Sequence, residues 1–171
     1  MQWDSIQKPE EGNSNLRVIF LDIDGVLITY GDAAVYYNGT DMPFHRPCVE
    51  CINILIARTG CKIVISSAWR LTQRLSLPAI FREEGIIGDI IGVTPSLGNR
   101  GQEIAAWLNA AVARVTSFVI IDDVDLGISS LFPRRFVKTR GRTGFNPKAL
   151  TDACRILVIP YPDQAAGTYN I

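Results

Sequence analysis

Residues 18–26 read Val-Ile-Phe-Leu-Asp-Ile-Asp-Gly-Val, so four consecutive apolar residues run straight into an aspartate-rich turn. A short β-branched and aromatic run closed by Asp-Gly suits a strand buried on both faces, the usual situation inside a parallel sheet. Residues 17–23 are therefore expected to form the central strand. Helices must then cover each face of the sheet, because a strand apolar on both sides tolerates water on neither.

The rest of the chain supplies suitable elements. Pro47 suits the first turn of a helix whose Ile52, Leu55 and Ile56 share one face, and Gly60 suits its C-cap. Residues 62–66, with Ile63, Val64 and Ile65, predict a second buried strand. A helical stretch over 70–84 and a short strand over 90–93 follow, with Pro95 and Gly98 as breakers. Ile104, Leu108, Ala111, Val112 and Val115 recur at helical spacing, which predicts a helix over 101–115 beside Trp107. Residues 117–121 read as a strand ending at Asp122, and 136–138 as one more before a turn at Gly144 and a helix near 147–157.

Such alternation predicts an α/β domain of Rossmann-like topology, three layers around a parallel sheet, with ligands beyond the carboxyl ends of the strands. Residues 16–159 form this domain, 1–15 a flexible leader and 160–171 a C-terminal tail. Residues 29–46 are rich in Gly, Asp, Tyr and Asn and too few for a folded cap, so a loop or small flap with minimal or no cap is expected there.

Lys plus Arg and Asp plus Glu number 17 each, so no global field draws the chain to nucleic acid or to an acidic membrane. No run is long and apolar enough to suggest a bilayer span, and the first fifteen residues show no secretory signal. Four cysteines in that setting are expected as reduced thiols in the cytoplasm. Cys48 and Cys51 form a CxxC with no second pair and no histidine pair beside it, so two half-buried helix cysteines are expected rather than a metal or redox site.

Three apolar strands end in residues that do chemistry: Asp22 and Asp24, then Ser66 and Ser67, then Asp122 and Asp123. In a parallel sheet those ends point the same way, so the residues converge on one crevice. Carboxylates gathered there repel and raise one another's pKa unless a cation intervenes, and hard oxygen ligands favour Mg²⁺. With the cation present, Asp22 can stay ionised and act as a nucleophile toward phosphorus.

At this point VIFLDIDGV resembles the first motif of the haloacid dehalogenase (HAD) superfamily, an apolar strand ending in DxDGV. The resemblance implies that Asp22 forms an aspartyl-phosphate. It also implies that Asp24 protonates the leaving oxygen, then activates water, and gives its backbone carbonyl to the metal. Ser66 in KIVISSAWR is similar to the second-motif residue that hydrogen-bonds the phosphoryl group, with Ser67 as the second choice. FVIIDD resembles the fourth motif, which places Asp122 and Asp123 near Mg²⁺. The third motif is normally a Lys; here Arg100 stands nearest its place, and Arg70 competes for it.

More narrowly, LDIDGVL, ISSAWR, the Thr94-Pro95 pair, RGQEIAAWL and IIDDVD followed by FVKT and TG are similar to the HAD domain of Swiss Army knife RNA-repair proteins, over roughly residues 17–157. A related layout in polynucleotide 3′-phosphatase domains implies that Arg70 contacts phosphate. The implied activity is phosphomonoester hydrolysis, with nucleotides or nucleic-acid ends as substrates. The rival is a binding or regulatory module that keeps the fold without turnover. Arg134, Arg135, Lys138, Arg140, Arg142 and Lys148 form a basic cluster suited to a nucleic-acid backbone or to plain solvation. Trp69 and Trp107 are expected to pack, and His45 to stand outside the chemistry.

Overall fold

The structure, a computed structural model, describes residues 15–30, 43–73, 75–111 and 114–161. Within them five strands run parallel: β1 (Leu16–Leu21), β2 (Lys62–Ile65), β3 (Ile90–Val93), β4 (Val115–Asp122) and β5 (Phe136–Lys138). Their order is β3-β2-β1-β4-β5, so the chain builds outward from β1 in one direction and then returns to its other side. The connecting helices are α1 (Arg46–Thr59), α2 (Trp69–Thr72), α3 (Leu77–Glu83), α4 (Arg100–Ala110), α5 (Ile128–Leu131) and α6 (Pro147–Leu157). This is the expected Rossmann-like α/β fold. The leader up to residue 14, the flap over 31–42 and the tail from 162 lie outside the described residues.

The burial of β1 follows from its composition. Val18, Ile19, Phe20 and Leu21 are all fully buried. Ile19 and Leu21 face a core completed by Ile52 and Leu55 of α1, Phe81 of α3 and Leu157 of α6. Val18 and Phe20 face the opposite core, with Ile104 and Leu108 of α4 and Ile128 of α5. Each such side chain contributes about 1.5–3 kcal/mol by leaving water, so β1 anchors both layers. The Phe20 ring meets Trp107 edge-on at 5.3 Å, which is the packing role expected of that tryptophan.

Two helix boundaries differ from expectation. The stretch over 70–84 is divided into α2 and α3, because Pro78 lies in the first turn of α3 and has no N–H to continue a preceding helix. The helix expected over 101–115 ends at Ala110, and Ala111 is already extended. Val115 belongs instead to β4, opposite Leu16. Val115, a buried first strand residue seven positions after the buried helix residue Leu108, imitates two more helical turns, so spacing alone could not separate them.

Arg135 also departs from expectation. It is buried, with its guanidinium donating to the carbonyls of Ile156, Ile159 and Pro160 and lying 5.3 Å from the centre of the Phe118 ring. Tyr161 stacks edge-on against Phe118 at 4.9 Å. The start of the expected tail is thus docked on the sheet, and Arg135 is a structural clamp rather than part of a basic surface.

Candidate active site

Register delivers the acidic residues to one place. Leu21 is paired with Ile121 on one side and Ile65 on the other, so the next residues of β1, β4 and β2 are Asp22, Asp122 and Ser66. The Asp22 amide donates to the Ile121 carbonyl at 3.0 Å, and the Ser66 amide to the Leu21 carbonyl at 2.8 Å. The crevice between β1 and β4 is where the strand order reverses, and there helices leave the sheet edge open to a ligand.

Asp22, Asp122 and Asp123 each place a carboxylate oxygen within 4.8 Å of the others. Asp22 and Asp122 are buried and Asp123 half-buried. Burial raises the Asp22 carboxyl above its usual range, against the Arg100 charge and a hydrogen bond from the Ser67 hydroxyl. Burial, reinforced by the Asp22 charge, pushes Asp122 up to about 7. Asp123 is raised by burial as well. The Arg100 Nε lies 3.2 Å from Asp122 Oδ2, yet that buried oxygen accepts no aligned hydrogen bond. The contact is an ion pair that leaves lone pairs open. Three crowded carboxylates with spare acceptor capacity form a donor set that fits a hard divalent cation.

Asp24 is handled separately. Its side chain stands outside that trio, and its Oδ2 accepts a hydrogen bond from Trp69 Nε1 at 3.0 Å. Its carboxyl is raised first by burial, while the Trp69 bond opposes and the Asp123 charge adds to the rise. Gly25 makes this turn possible. Its φ is +70°, and a Cβ there would stand 2.1 Å from Asp123 Oδ2, so no other residue leaves room for that carboxylate.

The segment after β2 brings both serines and both arginines to the site. Ser67 hydrogen-bonds Asp22, whereas the Ser66 hydroxyl is buried without a partner. Arg100, the first residue of α4, donates from NH1 to the Ser66 carbonyl and pairs with Asp122. Arg70 donates to the carbonyls of Ser67 at 2.6 Å and Pro95 at 3.2 Å, and pairs with Glu103 at 2.8 Å. Arg100 therefore touches the acidic trio directly, and Arg70 braces the loops behind it. Sequence reading missed Glu103 and missed the polar half of Trp69, which packs on Phe44 as expected but also bonds Asp24.

A family model described as the HAD domain in Swiss Army Knife RNA repair proteins matches residues 18–150. The chain belongs to this family. No curated protein and no solved structure matches it. The match spans every residue that the HAD domain brings to the crevice, from Asp22 to Asp123, and points to chemistry of the phosphatase-type hydrolase class.

Elsewhere in the HAD domain, Cys48 and Cys51 are buried rather than half-buried, and burial pushes the Cys48 thiol up to about 11. A thiol so raised stays protonated at neutral pH, and the thiolate is the nucleophilic form. His45 lies on Cys48, its Nδ1 3.4 Å from the sulfur. No helix among the described residues is long and apolar enough to cross a membrane.

The loop after β5 is tied to both acidic strand ends. The Thr139 amide donates to the Asp122 carbonyl at 2.9 Å, and the Thr139 hydroxyl to the Gly25 carbonyl at 2.8 Å. Lys138, Arg140 and Lys148 border a cavity of about 620 Å³ beside that loop, together with Thr143 and Asn146. Lys148 is paired with Asp152 at 2.9 Å, and the Lys138 charge is felt at Asp123.

Proposed function

We propose that this HAD domain is a Mg²⁺-dependent phosphomonoester hydrolase working through an aspartyl-phosphate on Asp22. The observation that carries this reading is the meeting of Asp22 with Asp122 and Asp123 at the strand-order reversal, beside the Arg100 guanidinium. Asp22, Asp122 and Asp123, with the Asp24 backbone carbonyl, would hold the cation. When bound it offsets the carboxylate charge and polarises the phosphoryl oxygens.

The chain's own residues then divide the work. An Asp22 carboxylate oxygen attacks phosphorus, and the ester P–O bond breaks with its electron pair leaving on oxygen. The Asp24 carboxylic acid gives that oxygen a proton. As a carboxylate, Asp24 next takes a proton from water, whose oxygen attacks phosphorus; the bond to Asp22 breaks and phosphate departs. Arg100 supplies fixed positive charge, and the Ser66 and Ser67 hydroxyls supply donors for phosphoryl oxygens.

Nucleotides or nucleic-acid terminal phosphates are the proposed substrates. Support comes from the family description and from Lys138 at the end of β5 and Arg140 on the loop after it, where a second phosphate of a longer chain can be met. The test is phosphate release from an aryl phosphate with Mg²⁺ or with EDTA, followed by mononucleotides, sugar phosphates and 3′- or 5′-phosphorylated oligonucleotides. EDTA should abolish release, and Asp22→Asn should lower it on the order of 10³-fold or more. Equal activity in EDTA would remove the metal from the reading, and a non-catalytic module would release nothing.

A further inference from the structure

We infer that Trp69 is a positioning residue for proton transfer: its indole N–H, by holding Oδ2 of Asp24, leaves Oδ1 as the oxygen that gives and takes the proton. The inference rests on the proposed phosphatase reading and deepens it. An indole Nε1–H can only donate. At 3.0 Å from Oδ2 it requires an oxygen with a free lone pair and no proton directed at it. The carbonyl oxygen is the stronger acceptor of a protonated carboxyl, so an Asp24 that keeps this bond favours its proton on Oδ1.

The tryptophan is held well enough to impose that choice. Its ring packs against Phe44 and against the core on the α1 face, and it opens α2 directly after the Ser67 turn. Its own amide reaches the Ser67 hydroxyl at 3.4 Å, at the long end of hydrogen-bond range. Ser67 in turn bonds Asp22. One short segment thus touches both aspartates of the DxD pair: Ser67 sets the nucleophile and Trp69 sets the proton donor. Arg70, the next residue, ties the same segment to the Ser67 and Pro95 carbonyls, which keeps the two contacts in fixed relation.

The alternative without Trp69 is a carboxyl whose terminal torsion is broad and roughly two-fold, so its two oxygens exchange places freely. Orientation of a reacting group is worth large factors in rate, and proton transfer itself contributes typically 10²–10⁴-fold. Phe at position 69 would keep the ring contact with Phe44 and remove only the donor.

The test uses leaving groups of different basicity. Trp69→Phe and the native protein are compared by kcat/KM, which reports events up to departure of the alcohol, on p-nitrophenyl phosphate and on a ribonucleoside monophosphate. A nitrophenolate leaves without a proton; an alkoxide does not. The substitution should lower kcat/KM for the nucleotide roughly 10- to 100-fold and leave the aryl ester within about threefold, with the fall in kcat rather than KM. Asp24→Asn should show the same selectivity, more strongly.

Equal losses on both substrates, or no loss on either, would overturn the role of Trp69 while leaving the phosphatase intact. Absence of turnover by the native protein would remove the reading on which it rests. Should Trp69→Phe fold poorly, the indole N–H resonances of the native chain serve instead. One of them should be shifted and slow to exchange, and should lose both properties in Asp24→Ala. An unmoved indole spectrum would contradict the hydrogen bond itself.

Discussion

Arg70 and Glu103 form a buried ion pair, NH2 to Oε2 at 2.8 Å, with side chains only 6% and 5% exposed. Glu103 also accepts from the amides of Leu97 at 2.9 Å and Gly98 at 3.2 Å, and lies 4.0 Å from Arg100 NH1. One carboxylate thus fixes the loop after β3, the brace at Arg70 and the cation beside Asp122. Removing one partner of a buried pair typically costs about 3–5 kcal/mol, because the other charge stays buried and unpaired. Glu103→Ala should lower the melting temperature on the order of 10 °C, measured by circular dichroism. A shift of a degree or two would show that the network is dispensable.

Gly25→Ala combines two faults. The new side chain must adopt a φ of +70° and its Cβ would overlap Asp123 Oδ2. The backbone term alone is about 1–2 kcal/mol. The steric term acts on a member of the acidic trio, so the variant should lose stabilisation by Mg²⁺ as well as turnover. Thermal melts with and without the cation check this, and an undiminished cation shift would mean that Asp123 is not needed for binding.

Asp122 sets the sign of a pH dependence. Its carboxyl is raised from 3.8 to about 7, chiefly by burial, so over that window the cation-free folded state holds a proton that the unfolded chain releases. Its contribution to stability is full below 3.8 and is lost as pH rises through about 7. The raised Asp22 carboxyl works in the same direction. In EDTA, stability should therefore decline between about pH 4 and pH 7, and Mg²⁺ should restore most at the alkaline end of that window. A cation effect larger at the acidic end would contradict the arrangement.

The strand ends were legible because an apolar run stopping at Asp-x-Asp or Asp-Asp marks both a buried strand and the edge where it leaves the core. Asp22, Asp122 and Asp123 could be named on that basis before any fold was drawn. Trp69 could not be read fully, since only the fold shows that its donor edge meets Asp24 while its face meets Phe44. Arg135 was miscounted as surface charge for a similar reason. Its acceptors are carbonyls more than twenty positions away in sequence, and no local pattern announces a guanidinium that caps a chain end. The division of α2 from α3 was available from Pro78, but the helical spacing on either side concealed it.

Lys138 and Arg140 should matter for long substrates only. Replacing both by alanine should raise KM for a 3′- or 5′-phosphorylated oligonucleotide several-fold and flatten its salt dependence by about one to two phosphate contacts. Turnover of a mononucleotide should stay within about twofold, because on the proposed reading its single phosphate would sit at the strand ends. Identical effects on both substrates would place the two residues in general folding rather than in backbone contact.

The covalent step is open to direct capture. Asp24→Asn removes the proposed water-activating base, so after mixing with an aryl phosphate and acid quenching, the tryptic peptide holding Asp22 should gain the mass of one phosphoryl group. The same peptide from Asp22→Asn should remain unmodified. Phosphate release at native rate by Asp22→Asn, or a phosphoryl group found on another residue, would contradict Asp22 as the nucleophile of this acidic crevice.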